Sequence, residues 1–162
     1  VTAPLVFSQV SKAYGSVRAL NDVSFCVGPG EFAALLGPSG AGKSTVFRCL
    51  TRLTPVDAGK VEVHGRDLRT LSGAALREAR RSIGLIFQQH NLVGRLSAID
   101  NVLTGRLAGV ATWRVLGRRF PLADRQAALS CLDRVGLLDK AYIRADALSG
   151  GQQQRVAIAR VL

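Results

Sequence analysis

The 162-residue sequence has no apolar run approaching the ~20 residues that cross a bilayer, which argues against a helical membrane span. Its first ten residues, Val1 to Val10, carry neither a basic segment nor an apolar core, so no secretory signal is read there. Cysteine is scarce. Cys26, Cys49 and Cys131 form an odd, widely spaced set without Cys-x-x-Cys. A disulfide framework and a zinc site are therefore not expected, and three buried thiols in a reducing cytosol are. The two histidines, His64 and His90, lie far apart without metal-ligand spacing and read as structural or solvated. Acid is in short supply: 11 Asp and Glu stand against 22 Lys and Arg, a net charge of +11. That balance raises nucleic acid, an anionic membrane face and phosphate ligands as partners. Eighteen of the bases are arginines scattered from Arg18 to Arg160, densest at Arg77, Arg80, Arg81 and at Arg114, Arg118, Arg119. Scatter of this kind marks solvated faces rather than a nucleic-acid footprint.

With 48% hydrophobic and 20% charged residues, the chain has the composition of a globular protein and the length of one domain. Leu5–Val10 and Val23–Val27 read as strands, with Tyr14-Gly15 in the turn region between them. Phe32–Leu36 is a continuous apolar run, the pattern of a strand buried on both faces of a parallel sheet. Lys43–Leu53 has helical spacing and is ended by Pro55. Lys60–His64 reads as a strand, Gly73–Arg81 as a helix and Ile83–Phe87 as a strand. After Gln88 the pattern turns helical, over Ala98–Leu107, Leu122–Val135 and Gly151–Leu162. The stretch Arg106–Pro121 reads as a loop or short helix.

Gly37-Pro38-Ser39-Gly40-Ala41-Gly42-Lys43-Ser44 fits G-x-x-x-x-G-K-[ST], preceded by an apolar run and followed by a helix. Glycines let the backbone curl so that successive N–H groups face one anion, and the helix start adds its positive dipole end. Lys43 supplies a charge near the β- and γ-phosphates, and Ser44 offers a hydroxyl to Mg²⁺. Leu148-Ser149-Gly150-Gly151-Gln152 places a second serine and glycine pair at a helix start, again a geometry suited to an anion. One nucleotide rarely needs two such sites, so the second suits the nucleotide of a neighbouring subunit.

Taken together, Gly37–Ser44, Gln88 after Ile83–Phe87, and Leu148–Gln152 followed by Gln153–Arg160 resemble the ATP-binding cassette of the ABC transporters. Their order matches, with 102 residues between Thr45 and Leu148, and the resemblance covers the whole chain. It implies an α/β P-loop NTPase with a strand-rich N-terminal part, a parallel core sheet and a helical subdomain. The corresponding segments are 1–88 for the strand-rich core, 89–147 for the helical subdomain and 148–162 for the signature motif and its helix. The resemblance implies ATP and Mg²⁺ as cofactors. Gly37, Pro38, Ser39, Gly40, Ala41, Gly42, Lys43, Ser44 and Thr45 would cradle the phosphates, and Tyr14 would stack on adenine. Gln88 would touch Mg²⁺ or the attacking water, with Ser44 the other metal contact and Lys43 the catalytic cation. Ser149, Gly150, Gly151 and Gln152 would face the γ-phosphate held by a second cassette in a head-to-tail dimer. Implied partners are membrane permease subunits and a periplasmic or lipid-anchored solute-binding protein, with the cassette peripheral on the cytoplasmic side of the inner membrane and no nucleic acid involved. The stretch from Gln88 to Leu107, with Thr112-Trp113-Arg114, Phe120-Pro121 and Arg134–Tyr142, is similar to phosphonate-import cassettes.

An acid pair is missing from this pattern. A P-loop ATPase needs an Asp ending a second buried strand to hold Mg²⁺, and a cassette also needs an adjacent Glu to polarise water. In the resembled family that strand follows the signature helix, whereas Asp139 precedes it. The expectation is therefore an N-terminal part of a cassette that lacks the C-terminal part of the core, is unstable alone and has negligible steady hydrolysis. Rival readings are a cassette for another solute (phosphate, a metal chelate or an amino acid), an inactive truncated cassette, and a DNA-maintenance ATPase. The compact spacing between the two glycine motifs argues against the last.

Overall fold

The computed structural model describes residues 3–107 and 120–162. These fall into two compact units, residues 1–83 and 84–162. The readings placed on Thr112, Trp113, Arg114, Arg118 and Arg119 lie outside the described residues.

The first unit is built on a four-stranded antiparallel sheet. Its strands are β1 (Leu5–Tyr14), β2 (Val17–Val27), β3 (Ala58–Val63) and β4 (Arg66–Asp67), in the order β2-β1-β3-β4. β1 pairs with β2 from Leu5↔Val27 to Tyr14↔Val17, and with β3 from Leu5↔Val63 to Ser11↔Ala58. Side chains of alternate residues share a face, so Phe7 and Val10 (brought into phase by a register shift) and Val61 and Val63 turn inward together. The Phe7 and Phe25 rings stack with centroids 4.6 Å apart. Helix α1 (Lys43–Leu50) closes this core with Val46 and Cys49, one turn apart, and helix α2 (Gly73–Arg81) adds Ala79.

Helix α1 ends at Leu50, three residues before the expected Leu53. Arg52 adopts a left-handed φ of 51°, and the carbonyls that further helix would have used are taken by Arg80. Its Nε donates to Thr51 O and its Nη2 to Arg52 O, both at 2.9 Å. A cation thus sits at the negative end of the helix dipole.

Two expected strands are absent among the described residues. Phe32–Leu36 has no ladder partner, and Phe32 and Leu36 are 93% and 91% exposed. Ile83–Phe87 is also unpaired. The parallel core sheet is accordingly not formed among the described residues. A central parallel strand requires a neighbour on each edge, and every described strand pair is antiparallel. The thiols also depart from expectation: Cys49 is buried, Cys131 half-buried and Cys26 exposed. Cys26 falls between the half-buried Phe25 and Val27 of β2, where alternation points it away from the core that Phe25 packs against.

The second unit is helical. Helices α3 (Ala98–Thr104), α4 (Leu122–Arg134) and α5 (Gly150–Ala159) fall close to the expected spans, each ending one to three residues earlier. Their core holds Ala98, Ile99, Val102 and Leu103 of α3, Ala128 and Leu132 of α4, and Val156 and Ala159 of α5, with Leu137, Ala141 and Leu148. Asn101 is fully buried among them. Its Oδ1 accepts from Val93 N at 2.8 Å, and its Nδ2 donates to Val93 O at 3.1 Å and Ser97 O at 3.0 Å. One amide thereby supplies the backbone partners of the turn leading into α3. Among the described residues, no helix is long and apolar enough to cross a membrane.

Candidate functional site

The glycine-rich loop joins residue 36 to α1 within the first unit. Gly42 caps α1 at a φ of 86°, and no side chain caps the helix start. No acidic residue lies in the first turn. Thr45 N donates to Gly42 O at 2.9 Å, while the N–H groups before it and the dipole of α1 meet no side-chain competitor, which favours an anion. The joint is tight, since a Cβ on Gly42 would lie 2.4 Å from the Ala19 carbonyl oxygen of β2. Lys43 folds back over the loop, its Nζ donating to Gly37 O and Pro38 O, both at 2.7 Å. These charge-assisted bonds hold the ammonium against the loop from which phosphate oxygens would be reached. Ser44 is exposed and Thr45 half-buried. Donors, cation and hydroxyl fit a magnesium-bound polyphosphate.

Tyr14 ends β1 and is 43% exposed. Lys12 Nζ stands 5.6 Å from its ring centroid, within cation–π range. The same ammonium donates to Asp57 Oδ1 at 2.6 Å, and Ala13 N donates to Asp57 Oδ2 at 2.7 Å. The Lys12 hydrogen bond, then the Ala13 N–H, hold the Asp57 carboxyl below its ordinary range. Lys12 and Asp57 escaped sequence reasoning because they stand 45 residues apart and neither belongs to a motif.

In the second unit, Ser149 caps α5 by a capping box. Gln152 N donates to Ser149 Oγ at 3.4 Å, and Ser149 N donates to Gln152 Oε1 at 3.0 Å. The Gln152 side chain is thus committed to its own helix start. A Cβ on Gly150 or Gly151 would meet nothing within 4 Å, so this helix end is open to an approaching group. Gln153 anchors the turn behind it, donating to Ala145 O at 3.0 Å and Leu148 O at 3.1 Å. Gln88 is exposed in a turn. Two left-handed residues follow closely, His90 and Asn91. Arg160 fastens their carbonyls through two bonds of 2.8 Å. Burial lowers the pKa of that guanidinium.

The structure thus places Tyr14 and Gly37–Thr45 in the first unit, and Gln88 and Ser149–Gln152 in the second. Among the described residues, no cluster of His, Cys, Asp and Glu has the makings of a metal site.

Residues 20–162 match the ABC transporter family. The chain is 51% identical over 159 residues to a phosphonates import ATP-binding protein of Nitratidesulfovibrio vulgaris, covering 98% of this chain and 60% of that protein. It is 51% identical over 158 residues to a hypophosphite import ATP-binding protein of Stutzerimonas stutzeri, covering 98% of this chain and 46% of that one. The chain therefore spans about half to three fifths of the length of these curated relatives. A dimeric structure of a bacterial ABC transporter cassette superposes with a TM-score of 0.82 at 34% identity, covering 98% of this chain and 68% of that one. A post-hydrolysis dimer of the same cassette, bound to ADP and Pi, superposes with a TM-score of 0.82 at 35% identity.

Proposed function

The chain belongs to the ABC transporter family, and from that premise we propose that it is the ATP-binding part of an importer that couples ATP binding and hydrolysis to phosphonate uptake. The observation that carries this reading is the bare N-terminus of α1 beneath the glycine loop, with the Lys43 ammonium folded onto Gly37 O and Pro38 O. Gly37–Gly42 and Thr45 cradle the polyphosphate, all but Pro38 carrying a backbone N–H, and Lys43 neutralises it. Ser44 would offer its hydroxyl to Mg²⁺, and Tyr14 offers a ring face to adenine. ATP supplies the free energy of phosphoryl transfer to water.

Ser149, Gly150 and Gly151 serve a second cassette's nucleotide. Gln152 acts there by stiffening the helix start, because its side chain is held by Ser149 N. Residues 1–88, 89–147 and 148–162 act as nucleotide core, helical subdomain and signature segment. The assembly includes permease subunits and an extracytoplasmic solute-binding protein, and the cassette lies on the cytoplasmic face of the inner membrane. Similarity to the phosphonates import proteins supports the choice of cargo. A hypophosphite import protein of equal identity favours a second reading, in which the cargo is another small phosphorus oxyanion.

Titration with MgATP tests the nucleotide reading. Wild-type protein binds, and Lys43→Met weakens binding by at least tenfold; equal affinity in both overturns it. Reconstitution with the permease separates the cargo readings. ATPase stimulation by binding protein loaded with phosphonate, and not with hypophosphite or phosphate, supports the first.

A further inference from the structure

The Tyr14 ring sits at the last position of β1, paired with Val17 across a tight turn. Three bonds from one residue add to that pairing from the other side. Asp57 N donates to Ser11 O at 3.0 Å, while its carboxylate accepts from Lys12 Nζ at 2.6 Å and Ala13 N at 2.7 Å. The three residues directly before Tyr14 are therefore all tied to Asp57, which enters from the segment between α1 and β3. The Lys12 side chain is only 12% exposed and keeps its ammonium 5.6 Å from the Tyr14 ring centroid. One ring face is thus occupied by a fixed cation, which leaves the other for a planar ligand. The cation also draws on the ring's electron density, and an electron-rich purine stacks well on a ring so polarised.

We propose that Asp57 and Lys12 are positioning residues for nucleotide-base binding, clamping the end of β1 so that one face of Tyr14 is presented to the purine. This rests on the reading of Tyr14 as the base platform. Asp57 lies outside the glycine loop, and its bonds go to Ser11, Lys12 and Ala13. It therefore acts on the base half of the ligand and not on the polyphosphate half.

The test compares ATP with inorganic tripolyphosphate, each with Mg²⁺, by calorimetry on the intact protein. Stacking on one aromatic side chain is worth roughly tenfold in affinity. Asp57→Ala, Asp57→Asn and Lys12→Met are expected to weaken ATP by several-fold to about tenfold, in that descending order, and to leave tripolyphosphate unchanged. Tyr14→Ala sets the ceiling, and adding Asp57→Ala to it causes no further loss. A purely structural role would weaken both ligands together. If Tyr14→Ala weakens ATP but Asp57→Ala and Lys12→Met do not, or if the losses add, the clamp is refuted while the base platform stands. If Tyr14→Ala itself leaves ATP binding unchanged, the platform fails and the clamp with it. The Asn and Met variants, close in shape to the native side chains, keep the outcome readable should Asp57→Ala misfold.

Discussion

Two glycines of the phosphate loop share a left-handed φ and differ in surroundings, which makes them a useful pair. Gly40 has a φ of 85° and Gly42 a φ of 86°, so alanine is strained at either by roughly 1–2 kcal/mol. A Cβ on Gly40 would meet nothing within 4 Å. On Gly42 it would stand 2.4 Å from Ala19 O and 3.1 Å from a Leu20 methyl. The first distance is impossible for a real Cβ, and the offending atom is strand backbone that cannot rotate away. The start of α1 or strand β2 must move by several tenths of an ångström. Overpacking of this kind typically costs about 1–3 kcal/mol more. Gly40→Ala should thus lower the thermal midpoint by roughly 2–8 °C, and Gly42→Ala by clearly more, at ~2–4 °C per kcal/mol. Because the shift falls on the helix start that faces the phosphates, Gly42→Ala should also weaken MgATP at least tenfold beyond Gly40→Ala. Circular dichroism melts and nucleotide titration measure both. If the two variants match in midpoint and affinity, contact with β2 is not what requires glycine at position 42.

Asn101→Leu removes the buried amide that partners Val93 and Ser97, and should cost about 2–4 kcal/mol in urea unfolding. A loss below about 0.5 kcal/mol would show that those groups find other partners. Burial pushes the Cys49 thiol up, whereas Cys26 is exposed. Iodoacetamide followed by mass spectrometry should therefore label Cys26 well before Cys49, and equal rates would contradict the packing of α1 on the sheet. The depressed carboxyl of Asp57 contributes stability that is fully present above the ordinary carboxylate range and is lost as pH falls below it. Lys12 is the charged group it meets. Denaturation midpoints of wild type and Asp57→Asn should thus differ at pH 7 and converge below about pH 4. A constant gap would assign the effect to something other than this charge.

What could be read from the sequence was what is local along the chain. Gly37–Ser44 and Leu148–Gln152 declare themselves because their chemistry lies in consecutive backbone donors, and α2 spans Gly73–Arg81 as its pattern predicts. The bonds that brace the segments around Tyr14 and Gln88 are not local. Asp57 reaches Lys12 across 45 positions, and Arg160 reaches His90 across 70. Neither spacing carries a period that a pattern could reveal. The early end of α1 has the same origin, since the Arg80 that takes its last carbonyls comes from the next helix. Gln152 is intermediate. The motif announces it as a ligand residue, but its position at the third residue of the helix also makes it half of a capping box, and that is the use the structure gives its side chain.

Phe32–Leu36 shows why an apolar run is a weaker signal than an alternating one. Val61 and Val63 alternate with polar neighbours, so β3 needs only one covered face, and α1 helps supply it. Five consecutive apolar residues need cover on both faces and a hydrogen-bonded strand on each edge. Leaving Phe32 and Leu36 in water forgoes roughly 1.5–3 kcal/mol apiece, and the backbone gains no ladder bonds in return. The run therefore specifies a demand of several kcal/mol rather than a conformation. It becomes a strand only where two edges and two faces are supplied together, and the described residues supply neither. The antiparallel sheet forms without it because β1 has a paired strand on each side, β2 across a tight turn and β3 from beyond α1. Stability in the first unit accordingly resides in that sheet and α1, while among the described residues nothing covers Phe32 and Leu36 in the segment leading into the phosphate loop.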